Sequence, residues 1–270
     1  MIAATTASAA FPELHRPAQP STRPPLVLLH GGNVANWMWE PQVAAFGDRV
    51  VVTPDLPGFG ARVAEDWPGL DAVADGLVRR LDGLGMTGPV DVAGLSLGAV
   101  TTIRLLARHP DRVRSALVTG AALVGVGAAA RLTSRAQLSA WRAPWFWRAQ
   151  AAAFRIPEDA RELYVSHGLS VRRETAAAML AEVYAGGVPA ALASVDRPLL
   201  AIAGEKEPGE IRRSLTALGR RMPQARLRLA PGMHHIWSIE DVELFNATLR
   251  AWFDEGRPEE RLLPFGGNRA

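Results

Sequence analysis

The chain contains no cysteine. Disulfides, thiolate metal sites and a cysteine nucleophile are therefore excluded. Lysine is almost absent as well, Lys206 being the single one, so the positive charge is carried by arginine. The arginines are scattered and often stand beside acids, as in Asp111-Arg112, and the net charge is only +3. A phosphate-binding face needs clustered positive charge, so nucleic acid is not an expected partner. Long apolar runs are missing too. The nearest candidate, 116–130, is broken by Gly120, Gly125 and Gly127, and it falls short of the roughly 20 residues that span a bilayer. A membrane is not expected as a partner either. The first ten residues are rich in alanine and threonine but lack the basic segment and apolar core of a secretory leader. The expectation is a cytoplasmic protein. No His-Glu-x-x-His spacing and no glycine-rich dinucleotide or phosphate loop occurs, so neither a metal nor a cofactor is expected.

What is present is a chain of 270 residues, 48% of them hydrophobic. That length and composition allow one large domain with a substantial core. Compact apolar runs at 26–29, 49–53, 90–93 and 115–119 read as buried strands. Helical spacing at 39–46, 70–84 and 100–108 separates them. Strand alternating with helix implies a parallel sheet with right-handed crossovers. From 121 to 194 the alternation stops, and only helical patches occur, at 135–142, 145–154, 157–167 and 174–184. Strands resume at 198–204 and 226–229, with helices at 211–222 and 242–253. The expected architecture is α/β, a mostly parallel central sheet flanked by helices. Residues 26–120 and 195–256 form its core, and 121–194 form a helical insertion that caps the site. Residues 1–25 read as a loose arm with room for one short strand near 13–16, and 257–270 as a polar tail.

The core is organised around Gly94-Leu95-Ser96-Leu97-Gly98, which stands between a strand and a helix. Strand, sharp turn and helix in that order are what a G-x-S-x-G nucleophile elbow needs. Glycines at the flanks let strand and helix approach, and Ser96 is expected at the tip in strained geometry. A serine hydroxyl is a weak nucleophile at neutral pH and requires a base, a group that orients the base, and donors for the developing oxyanion. His235 is the candidate base, in the turn after strand 226–229, with its neighbour His234 as runner-up. Adjacent side chains point apart, so at most one of them serves. Glu207, in the loop after strand 198–204, is the candidate orienting acid, preferred over Glu205 because it lies further into the loop and precedes Pro208. The backbone N–H groups of Gly32 and Leu97 are the candidate oxyanion donors. His30 reads as structural.

The order of these parts resembles the α/β-hydrolase superfamily. His30-Gly31-Gly32 resembles its oxyanion loop, Asp55-Leu56-Pro57-Gly58-Phe59-Gly60 its D-x-x-G-x-G turn, and His109-Pro110-Asp111-Arg112-Val113 its helix exit. Gly232-Met233-His234-His235 resembles its histidine turn, and the likeness runs from about residue 26 to 253. The order Ser, acid, His agrees with that family. Three positions depart from it: Ala61 and Arg62 stand after the D-x-x-G-x-G turn where serine is common, the acid is Glu where Asp is usual, and the short arm implies that one or two antiparallel strands are missing.

The resemblance implies a serine esterase acting on a small or medium apolar ester, thioester or lactone, a small-molecule substrate. A non-hydrolytic lyase or cyclase, or a ligand-binding protein with a silent triad, uses the same scaffold. Trp37, Trp39, Trp141, Trp145, Phe146 and Trp147 are the candidate pocket aromatics. Packing of the insertion on the sheet is the competing reading for each. Nothing in the sequence bears on the oligomeric state.

Overall fold

Every residue of Leu26–Leu29, Val90–Leu95 and Leu199–Gly204 is buried. A strand covered on both faces has no polar side to show, which is why these segments, Asp91 excepted, are apolar runs in the sequence. The structure, a computed structural model, describes residues 11–127 and 136–266. Expectations for residues 1–10, 128–135 and 267–270, parts of the arm, the insertion and the tail, lie outside the described residues.

The strands are β1 (Leu14–His15), β2 (Leu26–Leu29), β3 (Val51–Val52), β4 (Val90–Leu95), β5 (Val113–Thr119), β6 (Leu199–Gly204), β7 (Arg226–Ala230) and β8 (Leu263–Pro264). They form one sheet in the order β1-β3-β2-β4-β5-β6-β7-β8. The inner strands run parallel, while β1 and β8 pair antiparallel with β3 and β7. The α/β architecture expected from the sequence is the one observed. An antiparallel edge strand is present after all, at Leu14–His15. The tail, read as a polar extension, supplies the opposite edge, where Leu263 and Pro264 pair with Leu229 and Arg228. Two residues carry no period, so β8 had no readable signal. The strand expected at 49–53 is cut to two residues. Arg49 swings into an ion pair with Asp254 at 2.5 Å, and Thr53 donates its N–H to the Glu13 carbonyl at 2.7 Å.

The helices are α1 (Glu40–Ala45), α2 (Leu70–Gly83), α3 (Leu97–Arg108), α4 (Pro144–Ala153), α5 (Arg161–Ser170), α6 (Arg173–Ala185), α7 (Gly209–Arg221), α8 (Trp237–Glu240) and α9 (Val242–Glu255). Helices α4 to α6 lie between β5 and β6, with no strand among the described residues of that stretch. Glu182 of α6 accepts from the Trp67 indole N–H at 2.8 Å and the Leu70 N–H at 2.9 Å, tying the insertion to the start of α2. Among the described residues no helix is long and apolar enough to cross a membrane.

One feature of the strand order positions the site. From β2 the chain passes to β3 on one side and then returns to β4 on the other. The loops leaving β2 and β4 therefore diverge, and a crevice opens at their C-terminal ends. Leu29 and Gly94 are register partners at those ends, so the Gly31-Gly32 loop and Ser96 face the same opening.

Candidate active site

Ser96 sits between β4 and α3 with φ 55° and ψ −111°, left-handed backbone that a serine adopts only under constraint. The constraint comes from the two glycines. A Cβ on Gly94 would meet the Gly98 carbonyl, and one on Gly98 would meet the Leu29 and His30 carbonyls. The Ser96 N–H is held by the Thr119 carbonyl at 2.9 Å, and its own carbonyl accepts the first helical bond, from Val100, at 3.0 Å. Leu97 is thus the first residue of α3, and first-turn N–H groups have no partner within the helix and favour negative charge.

His235 lies in the turn between β7 and α8. Its Nδ1 pairs with Glu207 Oε1 at 2.5 Å. The other carboxylate oxygen, Oε2, accepts the Gly204 N–H at 2.7 Å, so a buried side chain has both oxygens engaged. With Nδ1–H given to the carboxylate, Nε2 is left as the ring's acceptor. Gly120, at φ 66°, passes so close that a Cβ there would stand 2.8 Å from His235 Cε1 and 3.2 Å from Glu207 Oε1. The alternatives go elsewhere. His234 pairs through Nδ1 with Glu240 Oε1 at 2.8 Å, and Glu205 accepts the Gly232 N–H at 2.8 Å.

His30 braces the loop that carries Gly32. Its Nε2 accepts the Leu56 N–H at 2.9 Å, so Nδ1 carries the hydrogen and donates to the Gly31 carbonyl at 2.7 Å. Burial pushes its pKa down, against the opposing pull of Asp55. Asp55 in turn accepts the N–H groups of Asn36 at 2.8 Å and Ala61 at 2.7 Å. Gly60, at φ 54°, is needed because a Cβ there would run into that carboxylate. The D-x-x-G-x-G turn is therefore a brace under the oxyanion-loop candidate and does not itself reach the cavity.

Ser96, Leu97, Gly32 and His235 border one cavity of about 230 Å³. None of Trp37, Trp39, Trp141, Trp145, Phe146 and Trp147 is among the described residues that line it. For Trp141 and Trp147 the reason is polar, since a buried indole N–H is best placed where it finds an acceptor. Trp147 donates to the Trp141 carbonyl at 2.7 Å and Trp141 to the Val171 carbonyl at 2.8 Å, so these rings form the insertion's own core together with Phe146. Trp39 is fully buried and stacks on Phe245, Trp145 is 65% exposed, and Trp37 borders a neighbouring cavity. The walls missed by sequence reasoning are Phe154, Tyr164, Met179, Leu180, Val183 and Ile236. Met179, Leu180 and Val183 are spaced as one face of α6, a signal open to a helical-period reading.

Two polar atoms in this wall have no partner among the described residues, Asn33 Oδ1 and the Tyr164 hydroxyl. Burial pushes the Tyr164 phenol well up, so it stays protonated. A buried hydroxyl without a partner costs stability, so Tyr164→Phe should leave the urea midpoint unchanged or raise stability by about 1 kcal/mol. A loss of that size would mean that the hydroxyl has an unseen partner. Among the described residues no group of three or more His, Asp or Glu side chains is arranged to hold a metal ion.

A family model described as the alpha/beta hydrolase family matches residues 26–248. The chain belongs to that family. A hydrolase of (E)-2-((N-methylformamido)methylene)succinate from Acinetobacter baylyi is 24% identical over 85% of this chain and 90% of its own length. The pimeloyl-[acyl-carrier protein] methyl ester esterase of Aromatoleum aromaticum is 38% identical, over 46% of this chain and 44% of that one. In fold, this alpha/beta hydrolase is similar to a thermophilic esterase of Thermogutta terrifontis. The TM-score is 0.72 and the identity 24%, covering 87% of this chain and 91% of the other.

Proposed function

We propose that this ester-hydrolase-type member of the alpha/beta hydrolase family is a serine enzyme cleaving small or medium apolar esters, thioesters or lactones through an acyl-enzyme. One observation carries the reading. Ser96, held in a left-handed elbow, and His235, oriented by Glu207, border the same cavity. In the reaction, Ser96 Oγ adds to the substrate carbonyl while His235 Nε2 takes its proton. The N–H groups of Gly32 and Leu97 hold the oxygen that becomes negative. The tetrahedral adduct collapses, the alcohol or thiol leaves with the proton from His235, and the acyl group stays on Ser96. Water then repeats the sequence with His235 again as base, releasing the acid. Glu207 keeps the ring in the tautomer that accepts at Nε2 and stabilises it when charged. Helices α4 to α6 serve as the cap, since Phe154, Tyr164 and the apolar face of α6 close the cavity from above the sheet edge. The apolar preference rests on the same wall.

A fluorophosphonate probe tests this. The protein should be labelled on Ser96, labelling should vanish in Ser96→Ala, and p-nitrophenyl butyrate turnover should vanish with it. Labelling or turnover that survives Ser96→Ala, or a folded wild-type protein that shows neither, would overturn the reading.

A further inference from the structure

A second cavity, of about 170 Å³, stands beside the one that holds Ser96. Val34 and Ile236 border both, so these two side chains form a shared wall. Val34 lies two residues beyond Gly32, and Ile236 follows His235. The dividing wall is thus built on the segments that carry the oxyanion and base candidates. The lining is mostly apolar, from Trp37, Ile156, Ile239 and Val242, and its charged members, Glu40 and Asp159, are exposed acids. Among the described residues no arginine or lysine borders either cavity.

From this juxtaposition we infer that the second cavity is a substrate subsite, holding one long uncharged apolar arm of an ester whose carbonyl lies at Ser96. The inference rests on the serine-hydrolase reading and narrows its substrate class. An ester confined to the first cavity would leave the second apolar surface in water. An arm that passes Val34 and Ile236 buries methylenes there, each worth about a three- to fourfold gain in binding. A carboxylate or phosphate at the end of that arm would meet Glu40 and Asp159 with no cation to offset its desolvation. Neutral arms are therefore taken and acidic ones refused. The arm is the same chemistry on either side of the ester bond, and two substrate series separate acyl from alkoxy.

The series are p-nitrophenyl esters with acyl chains of increasing length and n-alkyl butyrates with alcohols of increasing length. In wild-type protein kcat/KM should rise at least tenfold from the short to the long members of one series. A terminal carboxylate on the long arm should abolish that rise. Ile239→Trp fills the second cavity from α8 and should cut the long-to-short ratio at least fivefold. Val242→Trp, from α9, repeats the test should the first variant fold poorly. A flat profile in both series, a ratio that both tryptophan variants leave intact, or preference for the carboxylated arm would each overturn the inference. Calorimetric binding of 2-undecanone and 2-pentanone to Ser96→Ala protein separates this inference from the one beneath it. Binding at least tenfold tighter for the longer ketone, lost in Ser96→Ala/Ile239→Trp, supports the subsite even if no ester is turned over. Ser96-dependent turnover with equal ketone affinities would leave the serine reading standing and sink the subsite.

Discussion

Glu207→Gln should lower kcat/KM for p-nitrophenyl butyrate by about 10³- to 10⁴-fold, the scale on which a wrongly oriented base fails. The size follows from the two bonds that the side chain makes. Gly204 offers an N–H to Oε2, at 2.7 Å, and only an acceptor can stay there. In the glutamine variant the amide oxygen is therefore fixed toward Gly204, and the NH₂ is turned toward His235 Nδ1, now 2.5 Å from a carboxylate oxygen. A donor at that place forces Nδ1 to accept, and the ring hydrogen moves to Nε2. The imidazole then presents an N–H to Ser96 and cannot take its proton. Glu205→Gln should change kcat/KM less than about threefold, because its carboxylate accepts the Gly232 N–H and a glutamine oxygen can replace it there. Steady-state kinetics on both variants checks the pair, and equal losses would remove Glu207 from the role proposed for it.

That choice between two glutamates shows where a sequence stops being legible. Strands β2, β4 and β6 were readable because burial on both faces leaves no polar residue to confuse the pattern, Asp91 excepted. The elbow was readable because carbonyl oxygens stand where Cβ atoms at Gly94 and Gly98 would be, a demand that only one residue type meets. Geometry between loops is another matter. His234 and His235 are equal in the text, and they differ because Glu240 stands six residues on in the first turn after them, taking the His234 ring. The cavity wall was least legible. Most of its missed side chains come from α5 and α6, and which face of those helices meets the sheet is decided by docking, through contacts such as Glu182 with Trp67. Tryptophans attract attention as pocket formers. Here Trp141 and Trp147 go where carbonyl acceptors for their N–H groups are found, inside the insertion.

Acid should act on this protein through buried groups of opposite sign, the histidines His30 and His167 on one side and Asp91 on the other. His167 of α5 packs against Trp37 and Phe59, its Nε2 has no partner among the described residues, and burial, aided by the nearby His30, lowers its pKa to about 4. A histidine with a lowered folded pKa keeps its full contribution above the unfolded value near 6.5. It loses that contribution as pH falls from there toward 4, by about 3 kcal/mol in all. Asp91 in β4 behaves in the reverse way. Burial, only partly offset by Arg114, raises its carboxyl to about 6. The folded state therefore takes up a proton before the unfolded one does, and stability rises as pH falls from 6 toward 3.8, again by about 3 kcal/mol. Asp48 and Asp75, both held near 2 by arginine partners, respond only below this window. Urea unfolding between pH 7 and 4 should thus show a wild-type curve in which Asp91 offsets part of the histidine loss, and each single variant should remove one side of that balance. Compared with wild type, Asp91→Asn should lose about 3 kcal/mol more across the window, while His167→Phe, with the aromatic contacts kept, should lose about 3 kcal/mol less. Parallel curves for all three proteins would show that neither group titrates in this range.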